Sequence, residues 1–114
     1  MREERGAEIQ VADVELAMDK CRERLDQLDT TLIDVLAERM QLCARIAQLK
    51  RRGNIPMMQP HRLEHVRAKS IRQGRAQGLD EGFVNRLIDV ITAESCRLED
   101  FIIDKRGTAK PSEA

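Results

Sequence analysis

VADVELAMDKCRERLDQLDTTLIDVLAERMQLCARIAQLK, residues 11–50, carries an apolar period along its whole length. Steps of three and four residues connect Val11, Val14, Met18, Cys21, Leu25, Leu28, Leu32, Val35, Arg39, Leu42, Ile46 and Leu49 without a slip. That rhythm is a heptad seam along one long helix. Arg39 is its single charged member. A guanidinium in a covered seam is unfavourable unless something pairs with it. Two explanations stand at this point: a structural ion pair, or a socket for an anionic ligand.

The helix is expected over about 11–52. Gly53-Asn54 supplies a stop signal, and Ile55-Pro56 follows it. A second stripe, Ile33, Leu36, Met40, Cys43, Ala47 and Lys50, widens the apolar face of its C-terminal half. At ~1.5 Å per residue the helix is ~60 Å long, whereas a compact chain of this size has a radius of gyration of only ~13 Å. The seam therefore needs a partner, and a second copy of the chain is the simplest one. An intertwined helical homodimer is expected.

The remaining sequence also reads as helical. GNIPMMQP, residues 53–60, is a loop, and Pro60 suits the first turn of a second helix over about 60–77. That helix is polar, with a thin stripe of Leu63, Val66, Ala68 and Ile71. Gly78 ends it, and Asp80 is a good N-cap for a third helix running to about Ile103. Residues 1–10 have no apolar period and read as a flexible arm, 11–104 as one helical domain, and 105–114 as a disordered tail.

Composition agrees with an all-α protein of three helices per chain. Only 2% of the residues are aromatic and 35% are charged, which suits helices better than a sheet. Lysine plus arginine equals aspartate plus glutamate at 20 each, so no bulk field draws nucleic acid or an anionic membrane. Cys21, Cys43 and Cys96 are far apart, lack metal-ligand spacing and read as small core residues. His61 and His65 lie on the polar helix and read as solvated. The N-terminus has no apolar run of a secretory signal, and no stretch approaches the ~20 apolar residues of a membrane span. A cytoplasmic protein is expected.

Four polar groups interrupt otherwise apolar faces: Arg39, Lys50, Ser95 and Glu99. Arg39 and Lys50 are eleven residues apart, which leaves ~20° of rotation and ~16 Å of rise, so they share a face. Two long cations leaning together suit one small dianion, with Arg as a bidentate carboxylate clamp and Lys as a point charge. Glu99 is the alternative, structural partner.

At these residues the chain resembles the all-α class of chorismate mutase. The carrying stretches are CRERLDQLDTTLIDVLAERMQLCARIAQLK (21–50), then Pro56 and Arg62, then GLDEGFVNRLIDVITAESCRLED (78–100). The likeness spans about 15–103, and its strength lies in the combination. It implies a dimer of interlocked helices with two sites, each completed by Arg22 of the other chain. It implies that Arg39 grips a carboxylate, that Lys50 bonds a carboxylate and the ether oxygen, that Arg62 supports the site, and that Ser95 and Glu99 face the substrate. The implied reaction is the Claisen rearrangement of the dicarboxylate chorismate to prephenate. It is unimolecular, so no cofactor or metal is expected. The enzyme holds the reactive conformer and stabilises charge on the breaking ether oxygen.

Three positions depart from the commonest pattern of that family. Glu99 stands where glutamine usually donates to the ether oxygen, and a carboxyl donates only when protonated. Activity is therefore expected to fall as pH rises, with Glu99→Gln flattening the profile. Leu63 stands where a glutamate often contacts the ring 4-hydroxyl, and Gln59 near an aspartate of the same neighbourhood. These changes direct attention to the substrate's 4-position. The 4-amino analogue, 4-amino-4-deoxychorismate, which relatives in antibiotic pathways rearrange, is the alternative substrate. Isochorismate pyruvate lyase chemistry and a silent dimerisation module are the remaining readings.

Overall fold

A computed structural model describes the backbone of residues 2–56 and 59–113 and the side chains of 10–56 and 59–103. Three helices appear in order: α1, Arg2–Gly53; α2, Pro60–Ala76; and α3, Glu81–Glu113. Among the described residues there is no strand, as the composition implies. No described helix is long and apolar enough to cross a membrane. The chain divides into two compact units, Met1–Glu38 and Arg39–Ala114.

Two helix bounds differ from expectation. α1 begins at Arg2 rather than near Val11, and α3 runs to Glu113 rather than ending near Ile103. Arg, Glu, Ala and Gln at 2–10 are strong helix formers, so the helix continues where its apolar stripe stops. The side chains of 1–9 and 104–114 lie outside the described residues, and with them nearly all of the expected arm and tail.

Cap chemistry sets the inner ends. Asn54 takes a left-handed φ of 55° after α1. Its N–H donates to the Arg51 carbonyl at 3.4 Å, and the Ile55 N–H donates to that of Lys50 at 2.8 Å. This is the paired hydrogen-bond pattern of a Schellman cap. α2 ends the same way: Gly78 has φ of 80°, its N–H reaches the Arg75 carbonyl at 3.1 Å, and Leu79 reaches Gly74 at 2.9 Å. Asp80 then caps α3, its Oδ2 accepting from the Phe83 N–H at 2.9 Å.

In the first unit the seam residues Val11, Val14, Met18, Leu25, Leu28, Leu32 and Val35 are all exposed. In the second unit, Leu42, Ile46 and Leu49 of the same seam are exposed too, while Ala47 of the second stripe is fully buried. The chain's own core thus uses the second stripe, with Met40, Cys43 and Lys50 half-buried beside Ala47. On α2 the inward line is Leu63, Val66, Ser70, Ile71 and Gly74; Ala68, expected in it, is exposed because it lies off that three-four rhythm. α2 and α3 meet closely at Gly74, where an added Cβ would sit 2.8 Å from Val84 Cγ2. Arg67 of α2 hydrogen-bonds Asn85 and Asp89 of α3, fixing an antiparallel register.

Candidate active site

The second unit holds a cavity of about 340 Å³ walled by all three helices. α1 contributes Arg39, Leu42, Cys43, Ile46 and Lys50, which recur on one side of the helix. Gln59, which precedes α2, and Arg62, Leu63 and Val66 form a second wall. Thr92, Ser95, Cys96 and Glu99 of α3 form the third, at i, i+3, i+4 and i+7. Seven residues singled out in the sequence, Arg39, Lys50, Gln59, Arg62, Leu63, Ser95 and Glu99, therefore meet in one place. Arg22 does not line this cavity. It lies exposed in the first unit, 3.9 Å from Asp19.

Each polar group in the wall is held differently. Arg39 Nη1 donates to Ser95 Oγ at 2.6 Å and approaches Cys43 Sγ at 3.8 Å. Ser95 gives its proton to the Ile91 carbonyl at 3.0 Å, and the Cys43 thiol donates to Ser95 at 3.5 Å. One proton given and two lone pairs filled leave that hydroxyl without further capacity. It fixes the guanidinium rather than reaching into the cavity. Next along α1, Lys50 Nζ lies 3.5 Å from Glu99 Oε1, with side chains only 13% and 11% exposed. Glu99 is thus the buried carboxylate of the structural pairing that the sequence allowed.

Charge decides what the cavity suits. Arg39, Lys50 and Arg62 are three cations against the single carboxylate of Glu99, a balance of two positive charges (3 − 1). Leu42, Ile46, Leu63 and Val66 supply apolar surface between them, where local charge interactions are less screened than in water. Such a cavity fits a small dianion with an apolar body. Among the described residues no group of His, Cys, Asp and Glu could hold a metal ion.

Sequence reading missed Thr92 and misplaced all three cysteines. Thr92 precedes Ser95 by one turn, so the Ser95–Glu99 spacing already marked its face. Cys43 and Cys96 are wall residues and Cys21 is exposed on α1, so none is a core filler. Burial, with Glu99 and Asp100 adding to it, pushes the Cys96 thiol above its usual value.

An all-helical fold, among the described residues, whose cavity is walled by Arg, Lys and Arg suits a small anionic ligand. Residues 21–100 match the family described as Chorismate mutase type II, and the chain belongs to it. A 4-amino-4-deoxychorismate mutase of Streptomyces pristinaespiralis is 41% identical over 95 residues, covering 83% of this chain and 74% of that protein. A 4-amino-4-deoxychorismate mutase of Streptomyces venezuelae is 42% identical over 90 residues, covering 79% and 87%. A T-protein of Enterobacter agglomerans is 27% identical over 79 residues, which is 69% of this chain but 21% of that protein. No solved structure matches the chain.

Proposed function

We propose that the chain is a chorismate mutase-type isomerase and that its substrate is 4-amino-4-deoxychorismate. The observation that carries the reaction class is the cavity with Arg39, Lys50 and Arg62 against one carboxylate. The 4-amino substrate draws support from the two Streptomyces relatives of that name and from the apolar Leu63 in the wall.

In the rearrangement one ether C–O bond breaks as one C–C bond forms, and no proton, electron or atom enters or leaves. Binding geometry and charge are all the protein has to provide. Arg39, held by Ser95, takes one carboxylate as a fork. Lys50 turns from Glu99 to a substrate carboxylate and the ether oxygen, with Arg62 as a supporting cation. The Glu99 carboxyl faces the ether oxygen beside Lys50 as negative charge grows there. Gln59 and Leu63 border the ring.

The enzyme works as a homodimer in which Arg22 of the partner subunit completes the cavity. The exposed seam from Val11 to Leu49 supports this, since a line of large apolar residues of that length calls for a partner helix. Three free cysteines fit a reducing compartment, the cytoplasm.

The test is turnover of 4-amino-4-deoxychorismate and, separately, chorismate by the purified chain, with products identified by NMR. The expected result is rearrangement of the amino substrate with the higher kcat/KM. Preference for chorismate would reassign the substrate, and inertness toward both would overturn the mutase reading.

A further inference from the structure

Thr92 is the one neutral hydroxyl in the cavity wall whose hydrogen-bonding capacity is unspent among the described residues. Helical threonine and serine hydroxyls commonly return to their own helix. Thr30 and Thr31 do so, to the carbonyls of Asp26 and Gln27 at 3.1 and 3.0 Å, and Ser95 does so to Ile91. No such bond is made by Thr92, although it is half-buried.

Register places what faces it. Gly74 lies against Val84, and Arg67 reaches Asn85 and Asp89. One further turn along each helix of this antiparallel pair brings Leu63 opposite Thr92, and both line the cavity. A free hydroxyl therefore stands across from the apolar Leu63 in the cavity wall. It is one turn of α3 away from the Ser95–Arg39 bond and two turns from Glu99 and Lys50.

The substrate class offers one group for it. Its two carboxylates and ether oxygen call for the cations. What remains is the single polar substituent of the ring, at the 4-position. Ser95 is saturated, and Gln59 is exposed at the N-cap position before α2. Resting on the mutase reading, we infer that the Thr92 hydroxyl binds the ring 4-substituent and is a specificity-determining residue of this site. It accepts from an amino N–H of that substituent.

The 4-substituent takes no part in bond making or breaking, so this hydrogen bond is equally strong in ground and transition states. Its loss falls on KM and not on kcat. The experiment compares wild type, Thr92→Val and Thr92→Ser on 4-amino-4-deoxychorismate and on the analogue lacking any 4-substituent. Thr92→Val conserves shape, and circular dichroism verifies its fold. Expected is a roughly tenfold rise in KM for the amino substrate in Thr92→Val, unchanged kinetics on the 4-deoxy analogue, and near wild-type behaviour of Thr92→Ser. Equal losses on both substrates, a loss in kcat, or no loss at all would overturn the assignment while leaving the mutase reading intact. Wild-type inertness toward both compounds and toward chorismate would instead remove the mutase reading, and this inference with it.

Discussion

Glu99→Gln probes two consequences of one buried contact. The carboxylate lies 3.5 Å from Lys50 Nζ, and both side chains are nearly enclosed. At that distance an effective dielectric of ~20 gives a Coulomb term of about 5 kcal/mol, largely offset by the cost of removing both charges from water. Hydrogen bonds to charged groups retain about 1.5–3 kcal/mol net. The glutamine oxygen still accepts from the ammonium, so the expected loss is at the lower end, about 1.5 kcal/mol, read by urea denaturation. Activity should move the other way. The amide N–H is a standing donor for the ether oxygen, whereas an ionised carboxylate only accepts. Glu99→Gln should therefore turn over faster than wild type at neutral pH. A mutant no faster than the wild type would refute the need for a donor at this position, and undiminished stability would refute the pairing.

Other consequences concern the core, the thiols and assembly. Gly74→Ala should lower stability by about 1 kcal/mol, because overpacking against the buried, stiff Val84 outweighs the gain in helix propensity; a Val84→Ala background should abolish that loss. The Cys96 thiol, pushed up by burial, holds its proton through neutral pH, and its contribution to stability is lost only as pH rises through that raised value. Mass mapping after iodoacetamide at neutral pH should therefore show Cys21, which is exposed, modified well before Cys96. If Arg22 completes the other chain's site, Arg22→Ala and Lys50→Ala proteins, each inactive, should regain about a quarter of wild-type activity when unfolded, mixed and refolded, because half the dimers then carry one intact site. No recovery, with mixed dimers confirmed by mass, would contradict the shared site.

Much of this was legible in residues, and the reasons for the remainder are physical. Gly53-Asn54, Gly78 and Asp80 marked the inner helix ends because cap chemistry is local. The heptad from Val11 to Leu49 was equally plain, yet it is the exposed line, and the shorter stripe through Ala47 is the one the chain buries itself. Periodicity identifies an apolar face but not whose surface covers it. Arg39, Lys50 and Glu99 stood out because charge on such a face is unfavourable. Thr92, Cys43 and Cys96 did not, because small, weakly polar side chains pass as core. Leu63 and Gln59 drew attention only through likeness to a family, since nothing in their own chemistry marks a cavity wall. The outer helix ends were missed because helix propensity continues beyond the apolar pattern.

On the proposed mechanism the cavity performs the rearrangement by charge. Lys50→Met removes the ammonium while keeping most of the stem. The measurement is kcat at saturating 4-amino-4-deoxychorismate for wild type and Lys50→Met, with the fold of both verified by circular dichroism. Removing one such donor typically costs about 10²–10³ in kcat, and a loss of that size is predicted here. A folded Lys50→Met protein that turns over within a few-fold of wild type would contradict the account.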